Sequence, residues 1–182
     1  MFRPLKAWRL LRRFEAVDDK LERNEIASQL TDVSGLRIRE RLERVLEAHP
    51  NPETRAMAAW TLGYRRDEKA APSLAAAFRD DASVDVRSHA AEALGHLLGY
   101  SEEAPQFTRI LLAGLDDPSP EVRFWSCFAL GTFRDESAVP ELQRLIEDQA
   151  DVDAWWTVGK EAQWAIAHIQ GETEFERPRT SR

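Results

Sequence analysis

Four ten-residue segments of this chain align without a gap: TRAMAAWTLG from Thr54, VRSHAAEALG from Val86, VRFWSCFALG from Val122 and VGKEAQWAIA from Val158. Successive copies begin 32, 36 and 36 residues apart. A period of that length is the mark of a solenoid, in which no single unit buries its apolar face alone and stability comes from neighbours. Arg55, Arg87 and Arg123 share one column, which Gly159 breaks in the last copy. Gly63, Gly95 and Gly131 share another, with Ala167 in the fourth place.

Each copy follows a second helical pattern: IRERLERVLEAHP, APSLAAAFRDD, APQFTRILLAGLDD and VPELQRLIEDQ. Pro72, Pro105 and Pro140 stand near the start of the last three, where a first helical turn tolerates a missing N–H. Pro52 and Pro120 open the following helices in the same way, with Asn51 and Ser119 as N-caps. The repeating unit is therefore helix, short turn, helix. Ala58, Ala90, Ser126 and Ala162 fall three places after the arginine column, and Leu62, Leu94, Leu130 and Ile166 fall seven places after it. These two positions share one helix face and are expected to be core. The glycine serves either close packing or helix termination.

The recurrent VRxxAxxALG, behind the Asp-rich turns of RDDASVDVR and LDDPSPEVR, resembles HEAT repeats, in particular the subfamily of phycobilisome lyase subunits and bacterial scaffold proteins. The resemblance spans about residues 36–170. It implies an all-α fold, an α-solenoid of about four HEAT-like helix pairs with N-terminal capping helices. The organisation expected is a helical cap over 1–35, repeats over 36–170 and a flexible tail over 171–182. The resemblance also implies that the column arginine pairs with an aspartate of the inter-helix turn, for which Asp80, Asp81, Asp116 and Asp117 are the candidates.

Composition narrows the function. The chain carries a net charge of −7, and the excess lies beyond residue 55, where 22 Asp and Glu face 13 Lys and Arg. An acidic body repels a phosphate backbone, so a nucleic-acid partner is not expected. The single cysteine, Cys127, cannot form an internal disulfide and fits a reducing, cytoplasmic setting. No apolar run approaches the roughly 18 residues of a membrane helix.

In HEAT-like stacks the second helices line the inner face. Positions two, five and nine after the arginine form one stripe there: Met57, Trp60 and Tyr64; His89, Glu92 and His96; Trp125, Phe128 and Thr132; Glu161, Trp164 and His168, with Phe124 beside Trp125. A merely solvated stripe would carry Lys, Glu and Gln. Large apolar side chains instead suggest contact with a partner, although packing against the chain's own terminal segments is the alternative. The candidate partner-binding set is thus Met57, Trp60, Tyr64, His89, Glu92, His96, Phe124, Trp125, Phe128, Trp164 and His168.

Catalytic and metal templates fit poorly. The deoxyhypusine hydroxylases, metalloenzymes of HEAT fold, use recurrent His-Glu pairs, and no such dipeptide occurs here. His89 and His96 on one helix are about 10 Å apart at 1.5 Å rise per residue, too far for one ion. There is no phosphate loop, nucleophile elbow or zinc-type Cys pair, and Cys127 reads as a buried thiol. The expectation is a non-catalytic protein-binding scaffold or adaptor with an unidentified protein partner and no cofactor. A bilin lyase or chromophore-chaperone-like subunit is the alternative that the resemblance implies, and a metal-dependent HEAT-fold enzyme is the second alternative.

The N-terminus is basic. Arg3, Lys6, Arg9, Arg12 and Arg13 precede the first acid, Glu15, and are interleaved with Phe2, Leu5, Trp8, Leu10, Leu11 and Phe14. A cap whose apolar stripe covers the first repeat is the expectation, with membrane contact as the lesser alternative.

Overall fold

The computed structural model describes residues 3–33, 36–99, 101–153 and 155–172. Among these residues the regular elements are helices, and an antiparallel bridge joins Asp151 to Thr157. The chain divides into two compact units, residues 1–93 and 94–182.

The first unit holds α1 (Arg3–Ala16), α2 (Lys20–Thr31), α3 (Leu36–Ala48), α4 (Pro52–Tyr64), α5 (Ala71–Asp80) and most of α6 (Val84–Leu98). Helices α1 and α2 pack on each other, as do α3 and α4; α1 also meets α3, α3 meets α5, and α2 meets α4. First helices thus neighbour first helices, and second helices neighbour second helices. Phe14, Leu30, Leu42, Leu62 and Leu74 are fully buried between them. Each such side chain is worth about 1.5–3 kcal/mol relative to exposure.

The second unit holds α7 (Pro105–Ala113), continued by a 3-10 turn over Gly114–Asp116, then α8 (Pro120–Phe133), α9 (Val139–Gln143) and α10 (Val158–Ile169). Helix α8 packs on α7 and α10, and α9 packs on α10. The expected core columns are buried: Ala58, Ala90, Ser126 and Ala162 are sealed, as are Leu62, Leu94 and Leu130. Ile166 is only half-buried.

The column glycines turn out to serve packing. A Cβ on Gly63 would stand 2.6 Å from the Ala93 backbone, and one on Gly131 2.9 Å from the Ala165 Cα. One on Gly95 would meet the Phe128 ring at 2.8 Å. Helix α6 also runs on past Gly95 to Leu98, so that glycine does not stop it.

The arginine column makes a recurrent clamp. Arg55 Nη1 donates to the carbonyls of His49 (2.8 Å) and Pro50 (3.3 Å), six and five residues back, and its Nε and Nη2 form a fork on Asp81 at 2.8 and 2.9 Å. Arg123 does the same with Asp117 and Pro118 carbonyls, and its Nε reaches Asp148 at 2.9 Å. Arg87 takes the carbonyls of Asp81 and Ala82. The clamping carboxylates are placed by their own turns: Asp81 accepts the Ser83 N–H and Asp148 the Ala150 N–H. Asp81 was among the candidates from sequence, whereas Asp148 was not.

Helices α1 and α2 are themselves a pair of this kind. Arg23, fully buried, donates to the carbonyls of Val17 and Asp18, again six and five residues back, and to Glu53 at 2.6 Å. Ile26 and Leu30 then occupy the two core columns. Arg23 therefore opens the arginine column one repeat earlier than the sequence alignment did.

Two local expectations need correction. Asn51 caps α4 through the Glu53 N–H at 2.8 Å, but the Ser119 hydroxyl makes no cap bond and donates to Glu121 at 2.5 Å. The helix expected over VPELQRLIEDQ stops at Gln143, because the chain tightens into three-residue turns through Asp148. This aims carbonyls at the start of α10: Gly159 N–H donates to Asp148 at 2.8 Å, and a Cβ there would lie 2.5 Å from the Ile146 oxygen. Glycine thus replaces the column arginine where there is no room for a side chain. The expected tail falls mostly on 173–182, which, like Phe2 and the side chains of Arg3 and Leu5, lies outside the described residues.

Candidate functional site

In the first unit α4 carries Met57, Trp60 and Tyr64 along one face, each half-buried. The rings of Trp60 and Tyr64 lie 4.5 Å apart, and the Tyr64 hydroxyl donates to Glu92 Oε1 at 3.4 Å. His89 is half-exposed, with Nδ1 on the Asp85 carbonyl at 2.7 Å, one turn back on its own helix. Glu92, expected on the open stripe, is only 4% exposed. Its carboxylate lies under the tyrosine rather than in water.

The second unit departs further from expectation. Phe124, Trp125, Phe128 and Trp164 were expected to line an uncovered stripe, and all four are buried, at 0%, 9%, 6% and 9% exposure. The reason is a longer connection. Six positions separate Asp81 from Arg87 and Asp117 from Arg123, but eleven separate Asp148 from Gly159. The extra residues form a loop, closed by the Asp151–Thr157 bridge, that lays Trp155 against Phe124 (5.8 Å) and Trp125 (5.4 Å). Trp156 Nε1 donates to Glu161 at 2.6 Å, and Glu161 is sealed. Trp155 and Trp156 stand out in the sequence, but only the count of residues after Asp148 marks them as an insertion.

The rings satisfy one another. Trp125 stands edge-on to Phe128 at 5.5 Å, Phe128 stacks on Trp164 at 5.8 Å, and Trp164 stacks on His168 at 4.9 Å. His96, exposed, completes the row 4.9 Å from Phe128. Burial lowers the His168 pKa, and the positive charge of Arg134 lowers it further. The part of the row that reaches water is His96, Thr132, His168 and the half-buried Trp155 and Trp156.

Chemistry on these faces is limited. Among the described residues no three His, Cys, Asp or Glu side chains gather as metal ligands. Cys127 is sealed, and burial, with the negative charges of Glu161 and Asp148, pushes its thiol well above the usual range; it is no nucleophile. A cleft of about 1100 Å³ opens between α3 and α5, with Glu40, Glu47 and Asp80 over Ala76 and Ala77. Sequence reading gave no sign of it, because most of its lining comes from first helices whose outer residues look simply solvated.

Helix pairs fastened by a repeated arginine define a solenoid of repeat units. HEAT repeats match residues 10–95, 38–113 and 108–176, and the chain belongs to that family. The matched stretch begins within α1, in agreement with the clamp at Arg23. Among solved structures, a chain in the complex of CpcE and CpcF of phycocyanin lyase from Nostoc sp. PCC7120 is similar with a TM-score of 0.70 and 19% identity, over 91% of this chain and 98% of that one. A designed armadillo repeat protein in complex with the peptide (KR)4 is similar with a TM-score of 0.61 and 20% identity, over 88% and 80%. At such identities the likeness is one of fold. No curated protein matches the chain.

Proposed function

We propose that the chain is a non-catalytic protein-binding scaffold whose second helices carry the contact surface. The observation behind this reading is the line of half-buried Met57, Trp60 and Tyr64, with His89 on α6, which keeps part of these side chains at the surface. Half-buried aromatic rings held on rigid helices are the side chains most often dominant in protein interfaces, and a preformed surface loses little entropy on binding. A cytoplasmic setting is part of the reading, since no described helix is long and apolar enough to cross a membrane and the one cysteine is a sealed thiol.

The test compares the wild type with a Met57→Ala, Trp60→Ala variant as baits at native abundance, with mass spectrometry of what co-elutes. Loss of the co-eluting protein at unchanged helical content is expected. Full retention by the variant would sink the proposal. Trp125 and Phe128 are unsuited to this experiment, because alanine there costs about 3–5 kcal/mol of packing.

A second reading, a bilin lyase-like or chromophore-chaperone subunit, is supported by the similarity in fold and extent to the chain of the phycocyanin lyase complex. The row ending in His96 and His168 offers ring edges and imidazoles to a flat conjugated ligand. Mixing the protein with a bilin should shift its visible absorption band on this reading. An unchanged spectrum removes it.

A further inference from the structure

Helix α1 buries Ala7, Leu10, Leu11 and Phe14. Those four apolar side chains are therefore spent inside the fold and are not available to a lipid surface, which needs a free apolar face to enter. What faces water is Lys6, Trp8, Arg9, Arg12 and Arg13, with the Trp8 ring 48% exposed. Arg13 bridges to Glu22 and Arg41 holds Glu15, so among the described residues no ion pair offsets Lys6, Arg9 and Arg12 on this face. An exposed tryptophan among three cations is unusual on a chain whose net charge is −7.

The same chain presents the opposite arrangement on the loop after α9. Between Arg144 and Lys160 there is no Lys or Arg, and Glu147, Asp148, Asp151 and Asp153 lie there. Asp148 is engaged by Arg123, while Glu147, Asp151 and Asp153 are exposed beside the half-buried Trp155 and Trp156. A cationic surface around one indole and an anionic surface around two are complementary in charge and alike in apolar character.

We propose that these two surfaces bind each other between copies: the outward face of α1 of one molecule docks on the 147–156 loop of a second molecule. Arg9 and Arg12 meet Asp151 and Asp153, and Trp8 is covered by the loop. Charge sets the register, and burial of the indole supplies most of the affinity. The contact is heterologous, so each copy keeps one unused surface of each sign until a ring closes or a chain grows.

Sedimentation of the full chain tests this. At low salt the weight-average mass should rise with protein concentration, and it should return to that of the monomer at about 0.5 M salt, where exposed charges are screened. Trp8→Ala should weaken association about tenfold or more. The pairs Arg9→Glu, Arg12→Glu and Asp151→Arg, Asp153→Arg should each be monomeric, with unchanged circular dichroism. Mixing those two charge-reversed proteins is the decisive arm, because the unaltered helix of one meets the unaltered loop of the other, and the glutamate-bearing helix meets the arginine-bearing loop with both signs exchanged. That mixture should associate again, although each variant alone is monomeric. A wild type that stays monomeric at about 100 μM, well above a micromolar dissociation constant, overturns the proposal. So does a mixture that remains monomeric, or binding of α1 to anionic vesicles with no self-association.

Discussion

At the residue scale the strictest demand is made by the column glycines. Gly63 sits where any Cβ would overlap the backbone of Ala93. Replacing it with alanine gains about 1 kcal/mol of helix propensity, yet overpacking against a backbone that cannot yield costs about 1–3 kcal/mol. Gly63→Ala is therefore expected to lower stability in urea denaturation, and adding Ala93→Gly should recover part of the loss. Cys127 gives a second expectation: sealed and with a raised pKa, it should react with a disulfide reagent only after the protein is denatured. Rapid labelling of the native protein would contradict its position in α8. The glycine, arginine and small-residue columns were all visible in the text, because each answers to contact at one fixed helical position. The burial of Trp125, Phe128 and Trp164 was not visible, since it depends on a loop reaching them from another part of the chain.

At the scale of elements the arginine clamp ties α4 and α8 to the turn before them and to the turn of the following pair. Burial alone would raise the Asp81 pKa, but the Arg55 fork, the Ser83 N–H and the charges of Arg55 and Arg87 outweigh it and hold the carboxyl below its ordinary value. A carboxylate with a depressed pKa in the folded state contributes stability above its unfolded value, near 4, and loses it as pH falls through the folded value. An Asp81→Asn variant should be less stable at neutral pH, by about 2 kcal/mol, and should lose less than the wild type on acidification below about pH 4. Equal acid sensitivity in the two would contradict the clamp. Arg23→Met should cost about 2–4 kcal/mol by leaving the Val17 and Asp18 carbonyls without their donor. The sequence alignment stopped short of this helix because Ile26 and Thr31 stand where small residues and glycine stand elsewhere. The spacing of Arg23, Ala27 and Leu30 was the available signal, for Ala59, Ala91 and Cys127 likewise follow their arginines by four.

For the whole molecule, the period between copies fixed the class of fold before any contact was known, since units of that length must lean on neighbours. Function is less legible, because a shared scaffold hosts unrelated partners and the features that choose among them sit on outward side chains. The outermost positions follow that logic. One place after the arginine, Ala56, Ser88 and Phe124 are buried, while Asn24 and Lys160 are exposed. Polar side chains therefore occupy this place where it meets water.

The clamp carries a consequence for how such a chain can change length. Its donor always reaches the carbonyls five and six residues behind it, and at Arg55 and Arg123 it also reaches a carboxylate in the turn ahead, so the fitting at each joint is interchangeable with the next. Genetic duplication or excision of one full period would leave every surviving joint with a matching socket. Extra length enters this chain at two places: before Asp117, which follows Arg87 by 30 positions where Asp81 follows Arg55 by 26, and beyond Asp148, where glycine stands in place of the next arginine.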